Sequence, residues 1–240
     1  MSYLTEDTIA DVHPVYEKNL PRWRYFWASF NGGFDYRTTA LGMLRRYMNE
    51  DQQPGNQYSQ RLDHTALENS CKMVVETYKA FLFRTLPVRS LGNLSKLPYT
   101  QDFINDVDLD GTDLDQFMKE ANSLAMIYGH AWILVDKPYS PDAMTLDQEM
   151  VQGIRPYAQL ISPENILDWR HERVNGKYVL TYLKQKEQEN EDTLIVKVWT
   201  QQTICRYQLT KGAETGMALL DEIPNGIGII PFAMLKANPS

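Results

Sequence analysis

Cysteine is scarce in this sequence. Only Cys71 and Cys205 occur, far apart and in unlike surroundings. That excludes a disulfide framework and suits a reducing compartment. Long apolar runs are also missing: no stretch approaches the roughly 18 apolar residues that a membrane-spanning helix needs. The opening MSYLTEDTIADVHP has no basic region followed by an apolar run, so no signal peptide is expected there. Basic excess is missing too. Lys and Arg number 24 against 31 Asp and Glu, giving a net charge of −7. A protein that wraps nucleic acid needs a basic face, so this balance speaks against one without barring DNA from passing nearby. There are four histidines, His13, His64, His130 and His171, and they share no metal-ligand spacing. No G-x-S-x-G occurs, and Gly226-Ile-Gly228 precedes no helix, so it makes no phosphate loop. There is no internal repeat and no low-complexity tract.

What is present suits a packed protein. The chain has 240 residues, 43% of them apolar, with 5 Trp and 14 Tyr, enough for one large domain or two modest ones. Pro14 and Pro21 each suit a first helical position, predicting a short helix between them and a second from Pro21. Trp23, Phe26, Trp27 and Phe30 recur at spacings of three and four, and Asn31-Gly32-Gly33 ends that helix. A short helix is expected over Tyr36–Met48 and an exposed loop over 49–56. A long helix is expected over Tyr58–Arg84, with Leu62, Ala66, Leu67, Cys71, Val74, Tyr78 and Phe81 on one stripe. Pro87 stops it, and a polar connector containing Pro98 follows. Thr112 or Asp113 then caps a helix carrying Leu114, Phe117, Ala121, Leu124, Ala125 and Tyr128. Gly129 is its natural stop, because glycine tolerates positive φ. The apolar strand Ala131–Val135 follows.

Beyond Pro156 the period changes to two. Strands are expected at 157–161 and 166–170, either side of a turn at Ser162-Pro163-Glu164-Asn165. Tyr178–Leu183, Thr193–Thr200 and Thr203–Leu209 form an antiparallel meander. The charged stretch Gln185–Asp192 is expected at a hairpin tip, and Ile227–Phe232 is a last apolar run.

Three groups could carry chemistry. Asp106-Val-Asp108-Leu-Asp110-Gly111 opens like a calcium-binding loop, but counted from Asp106 the twelfth position is Phe117 where that loop needs Glu. An acidic entry to a helix explains Asp110 and Asp113 directly. Asp136, at the end of the buried strand, lacks a second carboxylate or base at useful spacing; such a residue usually accepts backbone N–H bonds in the next turn. Taken together, Asp106, Asp108, Asp110 and Asp136 define one alternative function, a magnesium-dependent hydrolase or nucleotidyltransferase. Arg22 and Arg24, interleaved with Trp23, Tyr25, Phe26 and Trp27, suit either a stacking surface for single-stranded nucleic acid or an amphipathic helix that buries its aromatics. The second reading is favoured.

The order of features resembles the portal proteins of tailed bacteriophages. The resemblance rests on His13-Pro14-Val15-Tyr16-Glu17 with Trp23; on the run from Asp106 to Thr112; on a helix followed by Tyr128-Gly129-His130-Ala131-Trp132-Ile133-Leu134-Val135-Asp136-Lys137-Pro138; and on Arg155-Pro156-Tyr157, Ser162–Ile166 and Asp168-Trp169-Arg170. It spans roughly residues 13 to 235. It implies an α+β fold in which N-terminal helices precede a mostly antiparallel, wing-like sheet, with a helical arm over 1–56 and the α+β domain over 57–240. The family's stem, clip and crown have no visible counterpart. A non-enzymatic structural subunit is implied, without metal, cofactor or catalytic residues. It would form a homo-oligomeric ring of about twelve copies at the capsid vertex of the virion, assembled in the host cytoplasm. Implied partners are the large terminase, major capsid and scaffolding proteins, a head-tail adaptor, and double-stranded DNA passing through the channel; no membrane is implied.

Overall fold

The computed structural model describes residues 11–40, 45–47, 49–50, 57–64, 69–97, 99–138, 144–210 and 217–237. The chain is α+β. Its helices are α1 (Pro14–Asn31), α2 (Gly33–Ala40), α3 (Gln57–His64), α4 (Ser70–Leu82), α5 (Thr100–Asn105), α6 (Leu114–Tyr128) and α7 (Leu146–Val151). Its strands are β1 (His130–Asp136), β2 (Tyr157–Ile161), β3 (Ile166–Val174), β4 (Lys177–Glu189), β5 (Thr193–Thr200), β6 (Thr203–Thr210), β7 (Met217–Pro224) and β8 (Phe232–Lys236). The residues group into two compact units. One comprises Met1–Leu20 with Trp132–Met234, the other Pro21–Ala131 with Leu235–Ser240.

The first unit is built on two sheets, one ordered β2-β1-β8 and one ordered β3-β4-β5-β6-β7. β1 and β2 run antiparallel, Trp132 facing Ile161 and Leu134 facing Gln159. In the larger sheet every neighbouring pair is antiparallel, so the expected meander forms and gains β3 and β7 at its edges. Trp132, Leu134, Ile161, Ile166, Leu183, Trp199 and Ile230 form one buried cluster fed by both sheets. Burying Leu134, Ile161, Ile166 and Leu183 contributes roughly 1.5–3 kcal/mol each. The Phe232 ring meets Trp132 and Trp199 edge-on, at 6.4 and 5.3 Å between centroids.

The second unit is helical. α6 buries Phe117, Ala121, Ala125 and Tyr128, a single stripe at helical spacing. Asp113 caps it, its carboxylate accepting from Gln116 N at 2.8 Å. Gly129 ends it in the left-handed conformation at φ 89°, its N–H bonded to Ala125 O. Both features match the sequence expectation. Trp23 is buried beside His130, and Trp27 stacks on Tyr128 at 5.9 Å.

Several boundaries differ from expectation. α1 is one helix rather than two and runs through Pro21. Proline there removes the bond to Glu17 O, and the burial of Tyr16, Trp23 and Ala28 along the helix outweighs that loss. The expected helix over 58–84 is not continuous. Asn69 is non-helical (φ −76°, ψ 59°) and starts α4 afresh by accepting from Lys72 N. Its amide also donates to Phe30 O at 2.7 Å, so one side chain closes one helix and opens another. Residues 65–68, which include the expected Ala66 and Leu67, lie outside the described residues. The helix expected over Tyr36–Met48 gives way to α2, which ends at Ala40; Leu41, Leu44 and Met48 also lie outside. Glu50, expected in an exposed loop, is buried and paired with Arg61 at 2.7 Å. β4 runs on to Glu189, so Gln185–Glu189 is strand and the hairpin tip shrinks to Asn190–Asp192. Ile227 and Ile229 lie in an exposed turn, and β8 begins only at Phe232.

Candidate functional site

The acidic stretch builds a loop. Asp108 Oδ1 accepts from the N–H groups of Asp110 (3.0 Å) and Thr112 (3.1 Å), and Asp106 Oδ1 accepts from Gly111 N at 2.9 Å. Burial opposes ionisation of Asp108, but the Thr112 side chain and the backbone N–H groups of Asp110 and Thr112 bond to its ionised form and hold its carboxyl below the usual range. Val107 points inward, fully buried, and its N–H bonds to Thr112 O at 2.7 Å. The loop's carboxylates thus hold its own backbone and lead into the Asp113 cap. Asp136, in the other compact unit, accepts from Lys137 N at 2.8 Å and pairs with Lys197 at 3.7 Å. No group of three or more His, Cys, Asp or Glu side chains able to hold a metal occurs among the described residues.

The aromatic stretch of α1 also divides. Trp23 is buried, Phe26 and Trp27 are about two-fifths exposed, and Arg22 and Arg24 face solvent. Trp27 lies between Phe30 and Tyr128, so its faces are used for packing rather than left as an open stacking platform.

A concave site that the sequence did not announce lies on the first unit. Residues 11–17 cross the larger sheet beside β3, leaving a groove of about 740 Å³ lined by Asp11, His13, Glu17, Asp168, Arg170 and His171. His13 N donates to Leu167 O at 2.9 Å, and the His13 ring stacks on Trp169 at 4.1 Å. His13 Nδ1 accepts from Val15 N, which fixes the ring as an acceptor on that side. Tyr16 Oη donates to Glu164 O at 3.1 Å. Under the arm, Lys184 of β4 is fully buried and donates its Nζ to Asp11 O. Asp168 faces Lys184 in register across β3 and β4. Burial pushes the Lys184 pKa down, and the Asp168 and Asp11 charges partly oppose that. Burial and Asp168 push the Tyr182 hydroxyl up. Burial lowers the His171 pKa.

The groove contains carboxylates, imidazoles and a guanidinium, but neither Ser nor Cys lines it. Arg170 is engaged with Asp168 at 3.4 Å and lies 4.8 Å from the Tyr182 ring centre. Residues 11–17 are fastened by His13 N on Leu167 O, by Tyr16 Oη on Glu164 O and by Lys184 Nζ on Asp11 O. No periodicity marks Lys184: Tyr182, Leu183, Lys184 and Gln185 are all buried, because the core covers one face of β4 and the arm covers Lys184 on the other. No family model matches this chain, and no curated protein matches it.

Proposed function

We propose that this chain is the wing-containing part of a tailed-phage portal protein, a structural subunit rather than an enzyme. The observation that carries the reading is the ordered motif set centred on Tyr128–Pro138. The local geometry supports it. α6 stops at a left-handed Gly129, β1 enters the core through Trp132 and Leu134, and Asp136 ends the strand by accepting from the following N–H. Pro163–Asn165 forms a short 3₁₀ turn that leads into β3, in the order the resemblance requires. Asp106, Asp108 and Asp136 support it as well, each engaged by backbone N–H groups or a lysine.

In this reading about twelve copies close a ring at the portal vertex of the capsid, after assembly in the host cytoplasm. The large terminase, scaffolding and major capsid proteins and a head-tail adaptor dock on the ring, and double-stranded DNA passes through it. The chain's net charge of −7 suits a conduit, since a basic lining would hold the polyanion. Among the described residues no helix is long and apolar enough to cross a membrane. Negative-stain microscopy of the purified protein, alone and with scaffolding protein, tests the proposal. Rings are expected, and monomers under both conditions would overturn it.

A further inference from the structure

Most of α4 lies on the surface although its sequence is apolar. None of its residues is buried; Met73 is 65% exposed, Tyr78 61% and Phe81 69%. Beyond it, residues 84–90 are all exposed, Val88 completely so. α4 packs against α6, yet most of its apolar surface stays open, and contiguous exposed apolar surface marks an interaction site. This surface is also basic. Residues 70–97 hold Lys72, Lys79, Arg84, Arg89 and Lys96 and one acid, Glu76, in a chain of net charge −7; Lys79 pairs with Glu76 and Arg89 with Asp115, each at 2.5 Å.

A surface of opposite character lies on the other compact unit. β7 is an edge strand of the larger sheet, with Leu219, Leu220 and Ile223 exposed; Ile227 and Ile229 follow, 61% and 55% exposed. Residues 217–229 contain Asp221 and Glu222 and no cation. Asp221 is engaged by Arg206 at 2.9 Å. Glu222 and Arg84 have no ion-pair partner among the described residues. The chain thus carries two exposed apolar faces of opposite sign.

We infer that the occupant of the basic α4 face is a second copy of this chain, presenting its acidic β7 face. The inference rests on the ring reading and deepens it by locating the contact. The two patches differ, so the contact is heterologous. Each copy keeps one unused half, and assembly continues until a ring closes or a filament grows. Tyr78 and Phe81 supply the aromatic anchors that dominate interfaces of this kind, and the opposed charges steer the encounter and set its polarity.

The test is sedimentation velocity on the 240-residue chain over a concentration series, with circular dichroism confirming that each variant is folded. The wild type is expected to associate. Tyr78→Glu with Phe81→Glu, and separately Ile227→Glu with Ile229→Glu, should each weaken association about tenfold or more. Each of these variants keeps the opposite face intact, so mixing them should yield a heterodimer that grows no further. Glu222→Arg should weaken association, and adding Arg84→Glu should restore it. A wild type that remains monomeric at every concentration overturns the inference. So do variants that associate like the wild type, or a mixture that gives no heterodimer. Variants as associated as the wild type would move the contact elsewhere and leave the ring reading standing. A successful mixture from a wild type that forms only open chains under the microscope would keep the contact and overturn the ring.

Discussion

Replacing Gly129 by valine isolates the turn that joins α6 to β1. Gly129 sits at φ 89° in the left-handed region, where a β-carbon crowds the following carbonyl oxygen. That conformation costs an ordinary L-residue about 1–2 kcal/mol, and a β-branched side chain is a genuine outlier there. A Cβ built at this position meets no heavy atom within 4 Å. The penalty is therefore conformational rather than a clash. Gly129→Ala should lose about 1–2 kcal/mol, Gly129→Val at least as much, and Gly129→Asn distinctly less, since asparagine tolerates this region. Urea unfolding monitored by far-ultraviolet circular dichroism measures the three. The chain has two compact units, so the transitions must be checked for coincidence between probes before free energies are assigned. A valine variant with the wild-type midpoint would show that the residue does not hold positive φ. An asparagine variant as damaged as valine would show that crowding, not φ, sets the cost.

Three further outcomes are expected. Asp113→Ala removes the side-chain acceptor for Gln116 N and should cost about 1 kcal/mol in urea unfolding, while Asp113→Asn retains most of the cap. Lys184 has a folded pKa lowered from 10.5. Below that folded pKa it is charged in both states; between it and 10.5 the unfolded chain binds more protons, so stability rises with pH. Relative to Lys184→Met, which has no proton to release, the wild type should gain in urea midpoint as the pH rises toward 10.5, and a constant difference would refute the lowered pKa. Asp136→Asn keeps an oxygen for Lys137 N and loses only the 3.7 Å pairing with Lys197. It should shift stability by less than about 1 kcal/mol and leave self-association in sedimentation velocity as in the wild type. Loss of a hydrolytic activity in that folded variant would instead favour the magnesium-dependent reading.

Where a local signal is strong, sequence and structure agree. Asp113 and Gly129 bound α6 as capping chemistry requires, and the alternating stretches form the expected meander. Neighbouring residues fix such features within a turn or two. The sequence resolves less where two residues far apart must meet. It offers an apolar stripe running from Leu62 to Phe81, but Asn69 breaks the helix because its amide has Phe30 O to bind, 39 positions away. It marks Cys71, Val74, Tyr78 and Phe81 as a core face, yet the structure leaves α4 unburied; periodicity shows that a face is apolar, not that anything within the chain covers it.

Lys184 is the converse case. A lysine in an alternating strand suggests a solvent-facing position, and the structure buries it completely because the residues beside Asp11 cross that face of the sheet. By itself, then, the sequence determined the caps of α6, the alternating strands and the α+β class. Those depend on backbone sterics and on hydrogen bonds within a few residues. Tertiary structure alone decided which apolar faces are covered, which charges are buried, and that Asp106 and Asp108 are spent on their own loop while Asp136 pairs with Lys197. Burial and pairing depend on partners whose distance along the chain says nothing of their distance in space.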